Sequence, residues 1–96
     1  MLVLITYDVR TETAEGTRRL RRVARECVNY GQRVQKSVFE CLLDPAQFAV
    51  LRDKLEKIIN IKEDSIRYYF LGSKWKNRVV HVGVNETFDP EGPLVL

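Results

Sequence analysis

The sequence contains 96 residues, which is the length of one domain, so an arrangement of several domains is excluded. Its composition, 45% hydrophobic and 30% charged residues, is ordinary for a globular protein. Sixteen Lys and Arg side chains against thirteen Asp and Glu give a formal net charge of +3 at pH 7, which is only mildly basic.

The first part of the chain predicts a strand followed by a helix. Residues 2–9 are rich in Val, Ile and Leu and run into a polar segment, which predicts a central strand ending in a loop. Over residues 17–30 apolar side chains recur every three or four positions, which predicts an amphipathic helix. Gly31 follows where the last turn of a helix favours left-handed backbone, so we expect the helix to end there.

The middle of the chain predicts two short strands and a second helix. Residues 33–43 alternate and are rich in β-branched side chains, which favours two strands with a break between them. Asp44 followed by Pro45 is typical of a helix start, because the carboxylate accepts a free backbone N–H and proline needs no acceptor. We expect this helix to run to Asn60.

Residues 65–71 and 78–84 predict further strands, so the order is β-α-β-β-α-β with an added strand. This is the ferredoxin-like arrangement, an α+β fold in which two helices cover one face of an antiparallel sheet. We therefore expect residues 1–84 to form a ferredoxin-like domain with an extra C-terminal strand. Residues 85–96 end in apolar side chains, and we expect this tail to dock on the dimer or on a partner.

Both faces of the predicted sheet carry apolar side chains. In the first strand Leu2 and Leu4 alternate with Val3 and Ile5, and residues 65–71 show much the same pattern. A sheet face this apolar usually meets a partner. A chain this short also buries only about two-thirds of the surface that its unfolded form exposes. A symmetric homodimer that packs sheet against sheet is therefore the expected assembly.

Basic residues are concentrated in one part of the chain. From Arg10 to Lys36 there are eight basic and three acidic residues, and five of the basic ones are arginines between positions 18 and 25. Such a cluster indicates a polyanionic partner, because neutralised phosphates release counterions. Arginine in place of lysine favours bidentate phosphate contacts. The alternative is a solvated helix face that carries surface charges.

Asp8 is the candidate metal ligand. It stands beside Tyr7 where the first strand ends, and a carboxylate there can bind a hard cation, as phosphoryl-transfer sites require. The alternative is that Asp8 caps the following loop. If a two-fold axis passes near this end of the strand, two Asp8 side chains can hold one cation between them.

The sequence contains few of the residues or motifs that other kinds of catalytic or metal site require. His81 is the only histidine, and Cys27 and Cys41 are the only cysteines, which argues against a zinc cluster or a Cys/His nucleophilic pair. No P-loop, GxGxxG or HExxH pattern occurs. No apolar run approaches the roughly 20 residues that span a bilayer, and the opening residues lack the cationic start of a signal peptide. We expect a cytoplasmic protein without membrane contact.

Three segments of the sequence, LVLITYDV, TRRLRRVARECVNYGQRVQKSVFECLL and DPAQFAVLRDKLEKII, resemble the CRISPR-associated Cas-two family. The resemblance covers residues 1 to about 84, and GQRVQKSVFE is its most specific part. It implies a ferredoxin-like homodimer that joins the Cas-one integrase in acquiring spacer DNA. It also implies a magnesium-dependent nuclease site, with one Mg²⁺ per dimer shared by the two Asp8 side chains.

The resemblance assigns roles to particular residues. Asp8 is the catalytic residue and the metal ligand. Residues that match the family motif or its basic helix and would bind nucleic acid are Arg18, Arg19, Arg22 and Arg33. Residues that would line the cleft are Tyr7, Ser37 and Phe39.

Three functional hypotheses remain open at this point. The first is a metal-dependent endonuclease that acts on RNA, duplex DNA or both. The second is a non-catalytic scaffold that presents arginines to DNA and binds the Cas-one integrase, and it is compatible with the first. The third is a toxin-type endoribonuclease on the same fold.

Overall fold

The fold was analysed in a computed structural model that describes residues 1–72 and 79–84. The predicted order of elements is confirmed. The elements are β1 (Leu2–Asp8), α1 (Ala14–Val28), β2 (Gln32–Gln35), β3 (Val38–Leu42), α2 (Pro45–Ile58), β4 (Ser65–Leu71) and β5 (Val79–Gly83). The predicted docking of the tail at residues 85–96 lies outside the described residues.

The strands form one antiparallel sheet in the order β2-β3-β1-β4-β5. β1 lies at the centre, between β3 and β4, as its apolar sequence predicts. α1 packs against α2, and side chains of both helices join the buried sheet residues in one core. The fold is thus the predicted α+β, ferredoxin-like one, with β5 added beside β4.

The core occupies only the helix-covered face of the sheet. Val3 and Ile5 of β1 and Phe39 of β3 are fully buried there, together with Leu51 and Leu55 of α2. Successive strand residues point to opposite faces. The residues that alternate with Val3 and Ile5 in β1, such as Leu2 and Leu4, therefore lie on the other face, which we call the open face.

The open face is apolar at one end and polar at the other. At the apolar end the register aligns Leu2 with Leu42 and Leu71, whose exposed fractions are 76% and 42%. At the polar end Asp8 is aligned with Ser65. The predicted apolar second face is therefore confirmed for one end, while the homodimer stays a prediction.

Helix α1 begins earlier than predicted, at Ala14. Thr13 is the N-cap residue, and its side-chain oxygen accepts the N–H of Gly16 at 3.0 Å. Gly16 is buried, and a Cβ atom at this position would collide with the backbone carbonyl of Arg10. The apolar periodicity starts only after this turn, so it could not reveal the true first residue.

The predicted role of Gly31 at the end of α1 is wrong. The helix ends at Val28 with Asn29 as a right-handed C-cap, and Gly31 does not have a positive φ. A glycine is required for another reason: a Cβ atom at Gly31 would collide with the carbonyl oxygen of Glu40 and the Sγ of Cys41 in β3. The constraint is a close approach between segments that are distant in sequence.

Helix α2 begins where the sequence predicts. The Asp44 carboxylate accepts the N–H of Gln47 at 2.7 Å, and the Gln47 side chain accepts the N–H of Asp44 at 3.0 Å. This reciprocal capping box, with Pro45 in the first turn, satisfies backbone donors that the helix itself leaves free. None of the helices among the described residues is long and apolar enough to cross a membrane.

Candidate active site

The polar end of the sheet contains a groove of about 420 Å³ beside Asp8. A smaller depression of about 200 Å³ adjoins it along the open face. Asp8, Ser65 and Arg67 line both, so these three side chains mark the centre of the site. The other residues that line the larger groove, which we call the Asp8 groove, are Val9, Arg10, Thr11, Glu12, Glu63 and Val84.

Asp8 is exposed at the last position of β1. Its carboxylate offers oxygen ligands, which hard cations such as Mg²⁺ prefer. Among residues 1–72 and 79–84, no group of three or more His, Cys, Asp or Glu side chains is arranged to hold a metal ion. Within a single chain, water or a phosphate would therefore have to complete the coordination that Asp8 begins.

Arg67 and His81 form a pair at the edge of the groove. Arg67 Nε donates to His81 Nδ1 at 2.6 Å, and His81 Nε2 lies 2.7 Å from the carbonyl oxygen of Val84. Since Nδ1 accepts, we assign the proton to Nε2, which donates to Val84. Both nitrogens of the imidazole are thus engaged.

Sequence reasoning missed both members of this pair. From the sequence, His81 was weighed only as a member of a zinc cluster or of a Cys/His pair, and Arg67 was assigned no role in a site. The available signal was that each is a polar residue in an otherwise apolar strand segment.

A buried carboxylate anchors the loop that follows Asp8. Asp64 is fully buried, and it accepts the Nε–H of Arg19 at 2.8 Å and the backbone N–H groups of Arg10 at 3.0 Å and Asn60 at 2.9 Å. Burial by itself raises the pKa of Asp64, but these hydrogen bonds outweigh it and lower the pKa below its ordinary value. We call Asp64 with these three partners the Asp64 cluster.

Arg19, which the sequence predicts to bind nucleic acid, is held in an ion pair inside the fold, and its contact with nucleic acid stays a prediction. Its side chain is only 14% exposed, and its guanidinium is paired with Asp64 and, at 3.5 Å, with Glu63. The hydrogen bond to Asp64 raises the pKa of Arg19 above its ordinary value. Arg18 and Arg22, on the same helix, are exposed, and their nucleic-acid contact stays a prediction.

The residues of the family motif come together near β1, but mostly on its helix-covered side. The Tyr7 ring stacks on Phe39 with centroids 6.2 Å apart, and the guanidinium carbon of Arg33 lies 5.1 Å from the Phe39 centroid. The Tyr7 hydroxyl donates to the Lys36 carbonyl at 3.3 Å, and the Tyr7 N–H donates to the Ser37 carbonyl at 3.1 Å. Burial raises the pKa of Tyr7, although the nearby Arg33 opposes this.

Only one of the three predicted cleft residues reaches the Asp8 site. Tyr7 lines the smaller depression, whereas Ser37 and Phe39 line neither hollow beside Asp8. Phe39 is fully buried and belongs to the core, so it does not line the hollows described here, and its cleft role stays a prediction. Neighbours in a strand point to opposite faces, and this separates the Tyr7 ring from the Asp8 carboxylate.

Comparison with known proteins decides the family. The model of the family described as "CRISPR associated protein Cas2", written Cas-two above, matches residues 1–79. The chain belongs to the Cas2 family. The resemblance stated from the sequence is thereby confirmed.

Individual Cas2 proteins are similar over the whole chain. A protein of Chlorobaculum tepidum named "CRISPR-associated endoribonuclease Cas2" is 62% identical over 96 residues, which is all of both chains. A protein of Halalkalibacterium halodurans named "CRISPR-associated endonuclease Cas2" is 52% identical over 95 residues, 99% of each chain. A crystal structure of Streptococcus pyogenes Cas2 at pH 6.5 superposes with a TM-score of 0.71 and 57% identity, covering 86% of this chain and 100% of that one.

Proposed function

We propose that this Cas2-family chain is a metal-dependent endonuclease and that Asp8 lies in the site where it cleaves phosphodiester bonds. The observation that carries the proposal is the exposed Asp8 carboxylate in a groove that also contains the cationic Arg67. The names of the relatives, endoribonuclease and endonuclease, support a nuclease and favour RNA as the substrate, with duplex DNA as the alternative.

The groups that face the groove are compatible with Mg²⁺. Asp8 offers carboxylate oxygens and Ser65 a hydroxyl, whereas Glu12 and Glu63, which also line the groove, are paired with Arg10 and Arg19. Both nitrogens of His81 are already engaged, so the donors available are the hard oxygen ligands that Mg²⁺ selects. Asp8 would hold the ion, which supplies charge neutralisation and Lewis-acid polarisation of a phosphate when bound.

The proposed enzyme is a homodimer in which the Asp8 of each subunit contributes to one Mg²⁺ site. Its support is the apolar end of the open face, where Leu42 and Leu71 are exposed next to Leu2. Large exposed apolar side chains grouped in this way favour association. Sedimentation should give the mass of a dimer at micromolar concentration, and a monomeric mass would remove the shared site from the proposal.

The decisive experiment compares cleavage of RNA and duplex DNA by the wild type and Asp8→Asn, with Mg²⁺ and with EDTA. The wild type should cut only with the metal, and Asp8→Asn should not cut, since it keeps the side-chain volume but loses the anionic ligand. Glu12→Gln is the matched control, because Glu12 lines the same groove but is paired with Arg10 at 3.4 Å. Full activity of purified Asp8→Asn would refute the proposal.

A second function is favoured by a different surface. Arg18 and Arg22 of α1 are exposed, as are Arg21 and Arg25, and none of the four lines the Asp8 groove. These residues could bind a DNA backbone without any cleavage. We propose this scaffold role, together with the Cas-one integrase in spacer acquisition, and test it by co-sedimentation with that integrase and DNA. If Asp8→Asn co-sediments as the wild type does, the scaffold role is independent of the nuclease function.

A further inference from the structure

The walls of the Asp8 groove come from three separate segments of the chain. They are drawn from residues 8–12, residues 63–67 and Val84. Asp64 lies within the second segment, directly before Ser65, which is the strand partner of Asp8. It is fully buried and does not line the groove itself. Asp64 is therefore placed behind the wall that carries Ser65.

Asp64 is hydrogen-bonded to both of the other segments. Its Oδ1 accepts the backbone N–H of Arg10 at 3.0 Å, and its backbone carbonyl accepts the N–H of Val84 at 3.0 Å. The second contact needs a glycine beside it, because a Cβ atom at Gly83 would collide with the Asp64 carbonyl and the φ of Gly83 is +104°. One buried residue thus connects all three walls.

The contact with Arg10 is the first fixed point of the backbone after Asp8. β1 ends at Asp8, so residues 9–12 lie outside the strand ladder. The hydrogen bond from the Arg10 N–H to Asp64 holds this segment along the edge of the groove. Catalytic groups have to be held within about 0.5 Å of their working geometry. A looser Arg10 contact should therefore impair chemistry at Asp8.

Arg19 fixes the carboxylate that makes this contact. Its Nε donates to Asp64 Oδ2 at 2.8 Å and its Nη2 donates to Oδ1 at 3.3 Å, and together these bonds set the plane of the carboxylate. The same Nη2 lies 3.5 Å from a carboxylate oxygen of Glu63, which lines the groove. Arg19 itself lines neither hollow beside Asp8. Its influence on the groove therefore passes through Asp64 and Glu63.

We propose that Arg19 and Asp64 are positioning residues that hold the walls of the Asp8 groove in the arrangement that cleavage requires. This role rests on the proposed function, since it concerns the geometry around Asp8. It connects a residue of α1, and one that directly precedes β4, to a site that the sequence placed on β1.

The first test follows the groove itself, without metal or substrate. Amide hydrogen exchange is measured residue by residue by NMR. The Arg10 amide of the wild type should be protected although Arg10 is an exposed residue, because Asp64 accepts its hydrogen bond. Arg19→Lys keeps the charge but cannot give both hydrogen bonds in the fixed geometry of a guanidinium, so the Arg10 amide should exchange about tenfold faster.

The pattern of exchange separates positioning from stability. In Arg19→Lys the amides of the buried Leu51 and Leu55, which report on global unfolding, should change less than the Arg10 amide. An equal increase at all three amides would mean only a less stable fold and would overturn the positioning role. An unchanged Arg10 amide would overturn it as well.

The second test measures kcat and KM for RNA cleavage with Mg²⁺, at a temperature where circular dichroism shows every variant to be folded. Arg19→Lys should lower kcat about 10- to 100-fold, because a misplaced group is costly in the transition state. KM should stay within about twofold of the wild type, since no contact with the RNA is removed. A raised KM with unchanged kcat would mean that Arg19 binds the nucleic acid, and would overturn the positioning role.

Arg52→Lys is the matched control for this substitution. Arg52 is paired with Glu56 at 3.3 Å within α2, and neither residue lines the hollows beside Asp8. Its kcat should stay within about twofold of the wild type, because this partly exposed pair contributes little to stability and does not touch the groove. A loss of kcat equal to that of Arg19→Lys would show a general loosening of the fold and would overturn the proposed role.

The outcomes for Arg19 and Asp64 are distinguishable from those for the proposed nuclease. If Arg19→Lys does not fold, the Arg10 amide of the wild type decides: protection supports the contact with Asp64, and rapid exchange overturns it. Full cleavage by Asp8→Asn would refute the proposed active site. The exchange of the Arg10 amide would still decide whether Arg19 orders the groove, because this measurement needs neither metal nor cleavage.

Discussion

Replacing Asp64 with asparagine should strongly destabilise the fold. The side chain is fully buried, and its two oxygens have different partners: Oδ1 accepts the N–H of Arg10 and Oδ2 accepts that of Asn60. An asparagine has one oxygen, so its NH₂ group would face one of these donors. The variant also loses the charge-assisted hydrogen bond from Arg19.

The size of the effect follows from these contacts. One buried N–H without an acceptor costs about 1–3 kcal/mol, and a hydrogen bond to a charged group contributes about 1.5–3 kcal/mol. The two effects add to the expected loss of folding stability. Because the Arg19 side chain is 14% exposed and keeps its 3.5 Å contact with Glu63, we take the lower part of the summed range, a loss of about 3 kcal/mol. A small domain has only about 5–15 kcal/mol of stability. The Tm should fall by about 12–24 °C, at 4–8 °C per kcal/mol.

The assay is urea unfolding followed by circular dichroism at one protein concentration. Glu63→Gln is the matched control: it removes the neighbouring carboxylate, which is 34% exposed, and should cost less than about 1 kcal/mol. An Asp64→Asn variant as stable as this control would refute the structural role of the Asp64 cluster.

The pH dependence gives a second check on Asp64. Its pKa is lowered in the folded protein, where hydrogen bonds outweigh burial. Its contribution to stability is therefore complete above the unfolded pKa of about 3.9 and is lost as the pH falls through the folded value. Asp64→Asn has no such titration, so the gap in stability between the two proteins should narrow below about pH 4. A gap that stays constant into acid would contradict this account.

Three further predictions concern other parts of the chain. Arg18→Ala with Arg22→Ala should weaken binding to duplex DNA of any sequence and reduce the magnitude of its salt slope by up to about 2; an unchanged slope would mean that these arginines are a solvated face. Gly31→Ala should lower the Tm, because its Cβ would collide with β3, and a wild-type melting curve would contradict that close approach. Burial, with a smaller effect from Cys41, raises the pKa of Cys27 to about 12. Maleimide should therefore label this thiol only when the protein unfolds. Rapid labelling of the native protein would show instead that the thiol is accessible.

The local elements could be derived from the sequence because their signals lie within a few residues of each other. Asp44, Pro45 and Gln47 form a complete helix start within one turn. The apolar run of β1 predicted a central strand, and the alternation of helices and strands predicted the ferredoxin-like sheet. Asp8 was found in the same way, as a carboxylate at the end of an apolar strand.

The tertiary structure decided which of several similar residues does what. Arg18 and Arg19 are neighbours in an arginine-rich helix, yet only Arg19 reaches Asp64, a residue 45 positions away. Likewise, Arg67 meets His81 only because β4 and β5 pair in one particular register. Helical periodicity and strand alternation specify a face within one element, whereas a hydrogen bond between elements depends on how they dock. For this reason the sequence by itself determined the fold and proposed Asp8 as a candidate, and the docking of the strands determined the residues that surround Asp8.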